Sequence, residues 1–417
     1  MTTQLILANG FGIGLASDDA VTSWGWQDRR RFETSEKINP LDDPHRMAVL
    51  HHGDTHLLGM PVGVLLDEWK ASLGSRLQSV EGYRDNFLSW IDDNLDNWSS
   101  VPDREKRAHQ SLDQRLCSLW RSIRDDLQTV PNGEHHETAL TIIRETNEML
   151  DSWDINDPRL HDMAEGILAR WGEEREGGLP SLAARIEYWF DDVPRSAEID
   201  REINRFIRLS VEGGYEFPSE AYTTLTFVGY GQKEMFPSTA SVVLFGSVQS
   251  HVARNVWKPE IAQSYGPSCA MIIPLGRRDV IDQILTGINS PLTLQATDTT
   301  IERLRKATNK PAKNQEVQDP PANVAEDFTE TLRDDLMTDL VQASREDYLN
   351  PAHRTVAGMP LESLAETAGA LVAVQNLGQD MQGELLTVGG NIDIGTVTLS
   401  GGFSWVNHKG RTQNPFL

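Results

Sequence analysis

The chain is poor in cysteine, short of basic residues and free of long apolar runs. Its two cysteines, Cys117 and Cys269, are too few for a disulfide framework or a cysteine-rich metal site. No stretch approaches the about eighteen uncharged apolar residues that a membrane span needs. The first residues also lack the basic region and apolar run of a signal peptide. These absences predict a cytoplasmic protein that does not bind a membrane.

The deficit of basic residues also bears on partners. The 417 residues include 38 basic and 62 acidic side chains, which gives a formal net charge of −24. Such a charge opposes binding to phosphate backbones, and no run rich in lysine and arginine offsets it. Nucleic acid is therefore not an expected partner. An apolar fraction of 39% with eleven tryptophans suffices for a core, in one elaborated domain or in two.

The first eighteen residues read as a β-hairpin. Residues 3–8 form a short apolar strand, Asn9-Gly10 is a turn signal, and residues 12–17 form a second strand. This pairing places Thr2 and Asp18 at the same end of the hairpin. The glycine spacing lacks the last glycine of a dinucleotide fingerprint and no helix follows, so close packing of the hairpin is the better interpretation.

Residues 75–219 are predicted to be an all-helical insertion. Five segments carry apolar residues at helical spacing amid charge: residues 83–95, 110–128, 137–153, 158–171 and 182–190. Six tryptophans of the block are predicted to pack between helices rather than to form an aromatic ligand-binding site: Trp90, Trp98, Trp120, Trp153, Trp171 and Trp189.

Strand patterns lie on both sides of this block. Before it, strands are predicted at residues 32–35 and 47–52, and a helix at 57–73 with Pro61 in its first turn. After it, strands are predicted at residues 221–229, 241–248, 271–274, 392–399 and 403–406. Helices are predicted at residues 278–285, 327–342 and 361–374.

A chain that leaves a sheet and returns to it forms a discontinuous domain. The sequence therefore predicts an α+β domain made of residues 1–74 and 220–417, interrupted by the helical insertion at 75–219. Within the second part, residues 306–325 are polar and proline-rich, which is typical of a linker or a long surface loop.

The candidate chemistry lies at the amino terminus. Methionine aminopeptidases remove an initiator methionine when the next residue is small, so Thr2 is expected to become the terminal residue. A terminal threonine combines a hydroxyl nucleophile with an α-amino group that can act as its base. Asp18 and Lys37 are the acid and the lysine that the predicted strands bring near it. Gly53, after the next strand, can offer an unobstructed N–H to an oxyanion.

These motifs, in this order, resemble a proteasome β-type subunit, a member of the amino-terminal-nucleophile (Ntn) hydrolases. The matching features are Thr2-Thr3, an apolar strand, Asp18 sixteen residues after Thr2, Lys37-Ile38, and a strand that runs into Gly53-Asp54. The carboxy-terminal half is similar to a group of bacterial and archaeal proteasome-like proteins, in residues 227–231, 236–238, 276–287 and 388–393.

The resemblance implies a four-layer αββα sandwich and hydrolysis of amide or peptide bonds without a cofactor. It implies that Thr2 is the nucleophile, that Asp18 orients Lys37, and that Gly53 lies at the oxyanion site. It further implies a peptide or amide substrate and a homo-oligomer.

The sequence also departs from the proteasome pattern. An aspartate and a serine that support the terminal amine in proteasomes are replaced by Leu385 and Val388, and Thr387 is the nearby hydroxyl. The alternative function is thus a catalytically inactive Ntn-fold scaffold or binding protein whose helical insertion recognises a partner.

Two other motifs compete with this site. On a continuous strand, His52, Asp54 and His56 would share one face, which permits a metal ion, although solvent-facing histidines are the preferred interpretation and no metal is expected. Residues 266–270 resemble the nucleophile elbow of serine hydrolases, but Ala270 replaces the last glycine and no histidine and aspartate partners can be placed.

Overall fold

A computed structural model describes most of the chain. The described residues are 2–24, 29–32, 36–152, 159, 164–166, 168–169, 172, 181–212, 222–248, 250–262, 269–308, 322–382, 389–409 and 411–412. Among them, no helix has both the length and the apolar character to cross a membrane.

The described strands are numbered in chain order. They are β1 Thr3–Asn9, β2 Gly12–Asp18, β3 Val21–Trp24, β4 Arg29–Phe32, β5 Ile38–Pro40, β6 Arg46–Gly53, β7 His56–Leu57, β8 Met60–Pro61, β9 Thr223–Tyr230, β10 Ser238–Val248, β11 His251–Val256, β12 Glu260–Ile261, β13 Met271–Gly276, β14 Ile392–Thr398, β15 Gly402–His408 and β16 Arg411–Thr412.

The described α-helices of eight or more residues are numbered in the same way. They are α1 Val62–Ser72, α2 Val80–Asn94, α3 Val101–Leu127, α4 His135–Ser152, α5 Leu182–Phe190, α6 Ala197–Glu212, α7 Asp279–Thr286, α8 Ser290–Thr308, α9 Ala322–Ser344, α10 Asn350–Ala357 and α11 Leu361–Gln382. Strands paired in antiparallel sheets and separate helices make this an α+β protein, as the sequence predicts.

The chain divides into two compact units. The first comprises residues 1–36, 235–237 and 261–417, and the second comprises residues 37–234 and 238–260. Residues 37–74, 222–234 and 238–260, which the sequence groups with the sandwich, thus belong to the same compact unit as the helical block. The division into a four-layer sandwich and an insertion stays a prediction.

The first unit contains a sheet of strand order β13-β1-β2-β14-β15-β16. The hairpin of β1 and β2 lies within it, with Gln4 opposite Ser17 and Asn9 opposite Gly12. The turn is therefore Gly10-Phe11, one residue later than the turn signal suggests, and the Asn9 side chain accepts the Phe11 N–H at 2.8 Å. The predicted hairpin is otherwise confirmed.

Helix α11 covers this sheet. Leu364, Ala368 and Val372 are buried against Leu5 and Leu7 of β1 in one apolar cluster. The helix approaches β2 so closely that a Cβ at Gly14 would overlap its backbone. A Cβ at Gly12 would likewise overlap Leu361, whereas Gly10 has open space, so close packing is confirmed for Gly12 and Gly14.

The second unit contains a sheet of strand order β11-β10-β9-β6-β5. Its apolar face packs against α1 and α2, where the Trp69 ring lies edge-on to Phe87 and Phe227 at centroid distances of 5.3 and 5.7 Å. Trp90 and Trp98 stack at 6.0 Å beside this cluster.

Helices α3 to α6 of the same unit share an apolar core. Leu116, Ile143, Phe190 and Phe206 are its fully buried members, one from each helix. Trp120 and Trp189 pack at its edge, so the described tryptophans of the helical block serve packing as predicted. Trp153 and Trp171 lie outside the described residues.

Several predicted boundaries need correction. The helix predicted at 57–73 begins only at Val62, because Leu57 belongs to β7 and Pro61 precedes the first helical residue. The predicted linker at 306–325 is helical at both ends, since α8 reaches Thr308 and α9 starts at Ala322. The predicted strand at 32–35 and helix at 158–171 fall largely outside the described residues.

A buried carboxylate joins helix α2 to strand β11 in the second unit. Asp92 accepts the Val252 N–H at 2.9 Å, lies 3.1 Å from His251 Nδ1, and forms an ion pair with buried Arg254. Burial alone raises the pKa of Asp92, but the His251 hydrogen bond and the Arg254 charge together hold it below its usual value.

Asp92→Ala is expected to lower the free energy of unfolding at neutral pH by about 3–5 kcal/mol, because Arg254 loses its carboxylate in a buried setting. Because the pKa of Asp92 is lower in the folded than in the unfolded protein, the ionised carboxylate stabilises the fold at pH values above the ordinary Asp pKa of about 3.9. This stabilisation is lost as the pH falls below that value and through the folded-state pKa. The difference in free energy of unfolding between wild type and Asp92→Ala should therefore become smaller below about pH 4. Urea unfolding measures it, with exposed Asp93→Ala as the control that should change little.

Candidate functional site

The four residues predicted to form the site are divided between the two compact units. Thr2 and Asp18 belong to the first unit, and Lys37 and Gly53 to the second. Each pair has its own local geometry.

Asp18 is the polar centre of the first pair. It ends strand β2, and its side chain is buried, with the residue 1% exposed. One carboxylate oxygen accepts the Thr3 N–H at 2.9 Å and the other accepts the Gly389 N–H at 3.0 Å. Asp18 therefore ties the start of β1 to the glycine pair that precedes β14.

The main chain of Thr2 is held from the other side by the residue that follows strand β13. The Arg277 N–H donates to the Thr2 carbonyl oxygen at 2.7 Å, and Thr2 itself is only 7% exposed. Gly276 has a φ of +69°, and a Cβ there would overlap the Thr2 carbonyl oxygen. Sequence reasoning missed this contact; its only signal was a glycine directly after an apolar strand.

The late glycine pair is fixed by a second aspartate. Asp19 accepts the backbone N–H of Asn391 at 2.9 Å and the side-chain amide of Asn391 at 3.1 Å. Gly390 has a φ of +83°, and a Cβ there would overlap the Asp19 carboxylate. Gly390 therefore needs glycine for its close approach to the buried Asp19 carboxylate.

A third acid lies on the neighbouring strand. Asp393 of β14 stands opposite Ser17 and is 2% exposed. Burial raises the pKa of Asp393, while the Lys409 N–H that it accepts at 2.7 Å opposes this effect.

Lys37 is buried in the second unit, directly before β5. It is 2% exposed, and its carbonyl oxygen accepts the His51 N–H at 3.1 Å. The Asn39 amide lies 3.0 Å from His51 Nδ1. Burial first, and then the charge of Lys37, lower the pKa of His51 to about 3, so this imidazole is neutral at pH 7.

Lys37→Met is expected to raise the pKa of His51, because the variant removes a positive charge that opposes protonation of the imidazole. Methionine suits the buried position in length and apolar character. An NMR titration with histidine-selective labelling measures the shift. The control is Lys70→Met, since Lys70 pairs with Asp67 on α1 and should leave the pKa of His51 unchanged. An unmoved His51 in Lys37→Met would contradict this electrostatic link.

Gly53 ends strand β6 opposite Thr223. Its φ is +95°, and a Cβ would overlap the carbonyl oxygen of Tyr222. Glycine is therefore required by the backbone at this position, and a role in binding an oxyanion stays a prediction.

The metal interpretation of the nearby histidines is not supported by their geometry. Strand β6 stops at Gly53, so His52 does not share a strand face with the residues that follow. Asp54 instead accepts the His56 N–H at 3.0 Å in a turn. Within the described ranges, no group of three or more His, Cys, Asp or Glu side chains could hold a metal ion.

Some predicted features cannot be placed. Residues 266–268 of the elbow-like motif lie outside the described residues, as do Leu385, Thr387 and Val388. Cys117 and Cys269 are both free cysteines.

Comparison with known proteins adds no assignment. No family model matches this chain, and no curated protein matches it.

Proposed function

We propose that the protein is a proteasome-like hydrolase that cleaves amide or peptide bonds through an acyl-enzyme on Thr2. The homo-oligomer, the cytoplasmic location and the αββα sandwich that the sequence predicts belong to the same proposal.

The observation that carries the proposal is the environment of residue 2. Asp18 binds the N–H of the next residue, Thr3, and the Arg277 N–H binds the carbonyl oxygen of Thr2. Both contacts fix the one peptide unit that joins Thr2 to Thr3, at the start of a paired strand. A nucleophile needs such a fixed position, because small displacements cost much of the rate.

The proposed reaction requires removal of Met1. The Thr2 hydroxyl oxygen then attacks the substrate carbonyl carbon, while the free α-amine of Thr2 accepts the hydroxyl proton. Collapse of the tetrahedral intermediate breaks the C–N bond, and the leaving amine takes the proton. Water then attacks the ester, releases the acid and restores the hydroxyl.

Lys37 and Gly53 are proposed to have the roles that the resemblance to proteasome subunits implies. In the proposal, the Lys37 charge favours the alkoxide and an N–H at Gly53 receives the oxyanion.

A non-catalytic scaffold is the second candidate. The hydrogen bonds of Asp18 favour this function, because both of its carboxylate oxygens accept backbone N–H groups and so have a structural role. In this case the helices of the second unit would supply the partner-binding surface.

Intact mass of the purified protein tests the proposal at its first step. We expect a mass that lacks Met1, because a terminal amine on Thr2 is needed as the base. The same measurement on Thr2→Ala, which also has a small second residue, is the processing control. A wild-type protein that retains Met1 would eliminate the terminal-threonine mechanism.

A further inference from the structure

The second unit contains a cavity that the proposed hydrolase mechanism does not use. It has a volume of about 470 Å³ and lies among helix α3, strand β10 and the hairpin of β7 and β8. Leu57, Phe245 and Ala253 supply apolar wall, and Ser111 and Gln114 add polar groups. This size and mixture are typical of small-molecule sites.

An arginine is placed at the tip of the hairpin. The two-residue turn Leu58-Gly59 has φ values of +53° and +89°. A Cβ at Gly59 would lie 3.1 Å from a guanidinium nitrogen of Arg107, so glycine lets this side chain pack against the turn. Across the part of the chain that the structure describes, Arg107 forms no ion pair, although acidic residues are abundant. Its charge is therefore available to a ligand.

An acid lies at the base of the same hairpin. Asp54 lines the cavity, and its side chain is 37% exposed. One of its oxygens accepts the His56 N–H. The four residue steps from Asp54 to Leu58 span at most roughly 13 Å of extended chain. The cavity thus has opposite charges at two ends of a short hairpin.

A buried serine lies beside the same cavity. Ser247 is 5% exposed, and its Oγ has no hydrogen-bond partner among the described residues. It follows a bulge in β10, where the register shifts between Leu244 and Gly246. Bulges of this kind redirect side chains and are common beside binding sites. A buried polar group without a partner calls for an explanation, and a ligand group that reaches the Ser247 Oγ would supply one.

We propose that this cavity binds a small zwitterion of the amino-acid or short-peptide class. The ligand carboxylate pairs with Arg107, its ammonium group pairs with Asp54, and its body lies on Phe245 beside the Ser247 hydroxyl. Guanidinium binds carboxylate through two parallel hydrogen bonds, which favours arginine for this contact. The site involves only the second unit and does not depend on Thr2 chemistry.

Calorimetric titration of the full chain with three matched probes tests the charge pattern. Glycyl-leucine carries both charges, N-acetyl-glycyl-leucine only the negative one, and glycyl-leucinamide only the positive one. We expect glycyl-leucine to bind at least tenfold more tightly than either blocked peptide. The titration is made in Thr2→Ala as well as in wild type, so turnover cannot obscure binding.

Variants locate the site. Arg107→Gln is expected to weaken the binding of glycyl-leucine at least tenfold. Arg121 is an exposed arginine about four turns further along α3, and Arg121→Gln should leave this affinity unchanged. Asp54→Asn should weaken glycyl-leucine but leave the acetylated probe unchanged. Ser247→Ala should weaken binding several-fold without lowering the melting temperature, because it removes an unpartnered buried hydroxyl.

Three results would overturn the proposal. They are no binding of glycyl-leucine in folded wild type, equal binding of the free and the acetylated peptide, and equal effects of Arg107→Gln and Arg121→Gln. Circular dichroism of each variant establishes that a loss of binding is not a loss of folding. Because the hydrolase proposal is tested by Thr2→Ala turnover, failure of one proposal leaves the other intact.

Discussion

Asp18→Ala is expected to lower the free energy of unfolding of the first unit by about 3 kcal/mol or more. The substitution leaves the N–H groups of Thr3 and Gly389 buried without their charged acceptor. Hydrogen bonds to charged groups each contribute about 1.5–3 kcal/mol, and an unmade buried one costs the full desolvation of its donor. Two such bonds are lost together.

Asp18→Asn distinguishes hydrogen bonding from charge. Its amide oxygen can accept one of the two N–H groups, but its NH₂ group must face the other donor. We therefore expect most of the stability loss to persist. Asp380→Ala, an exposed acid on α11, is the control and should change the free energy of unfolding by less than about 0.5 kcal/mol. Urea unfolding measures all three. An Asp18→Ala protein as stable as the control would contradict the clamp between β1 and the late glycine pair.

The hairpin could be predicted because its determinants are local. Two apolar runs around a turn signal, all within eighteen residues, indicate the pairing that places Asp18 beside the start of β1. The exact register, with Gln4 opposite Ser17, depends on the observed turn at Gly10-Phe11. Helix α5 was likewise predicted at its exact bounds, since Ser181 caps its amino terminus and apolar residues follow at helical spacing.

The remainder of the candidate site depends on contacts between distant parts of the sequence. Gly389 donates to Asp18 across 371 positions of the chain, and no local pattern specifies that bond. The Arg277 N–H reaches Thr2 in the same way. Sequence periodicity indicates which face of a strand is apolar, but it does not indicate which distant backbone N–H completes a buried acid.

The grouping of the chain into units shows the same limit. Strands β5 and β6 lie in the opening stretch, yet they belong to the unit that contains the helical block. The reason is packing: α2 buries Phe87 against Trp69 and Phe227, so the helices of the block and this sheet share an apolar cluster. A change of composition along the sequence marks where the helices begin without indicating what they pack on.

The proposed mechanism predicts that Thr2→Ala lowers the rate of amide hydrolysis by on the order of 10³-fold or more, because the variant lacks the proposed nucleophilic oxygen. Alanine is also small, so Met1 removal is preserved and the amine remains. Thr2→Ser retains a hydroxyl on the same backbone and should keep measurable activity. Thr3→Val is the matched control, because Thr3 Oγ1 has no hydrogen-bond partner among the described residues and valine preserves its shape.

The most direct measurement is the rate at which wild type and Thr2→Ala hydrolyse a panel of acylated peptides with fluorogenic amide leaving groups. Both proteins are taken from parallel preparations whose masses show loss of Met1. The Thr2 mechanism predicts cleavage of at least one peptide by wild type, retained in Thr3→Val and reduced to background in Thr2→Ala. Equal rates in wild type and Thr2→Ala across the panel would contradict it and leave the scaffold as the function.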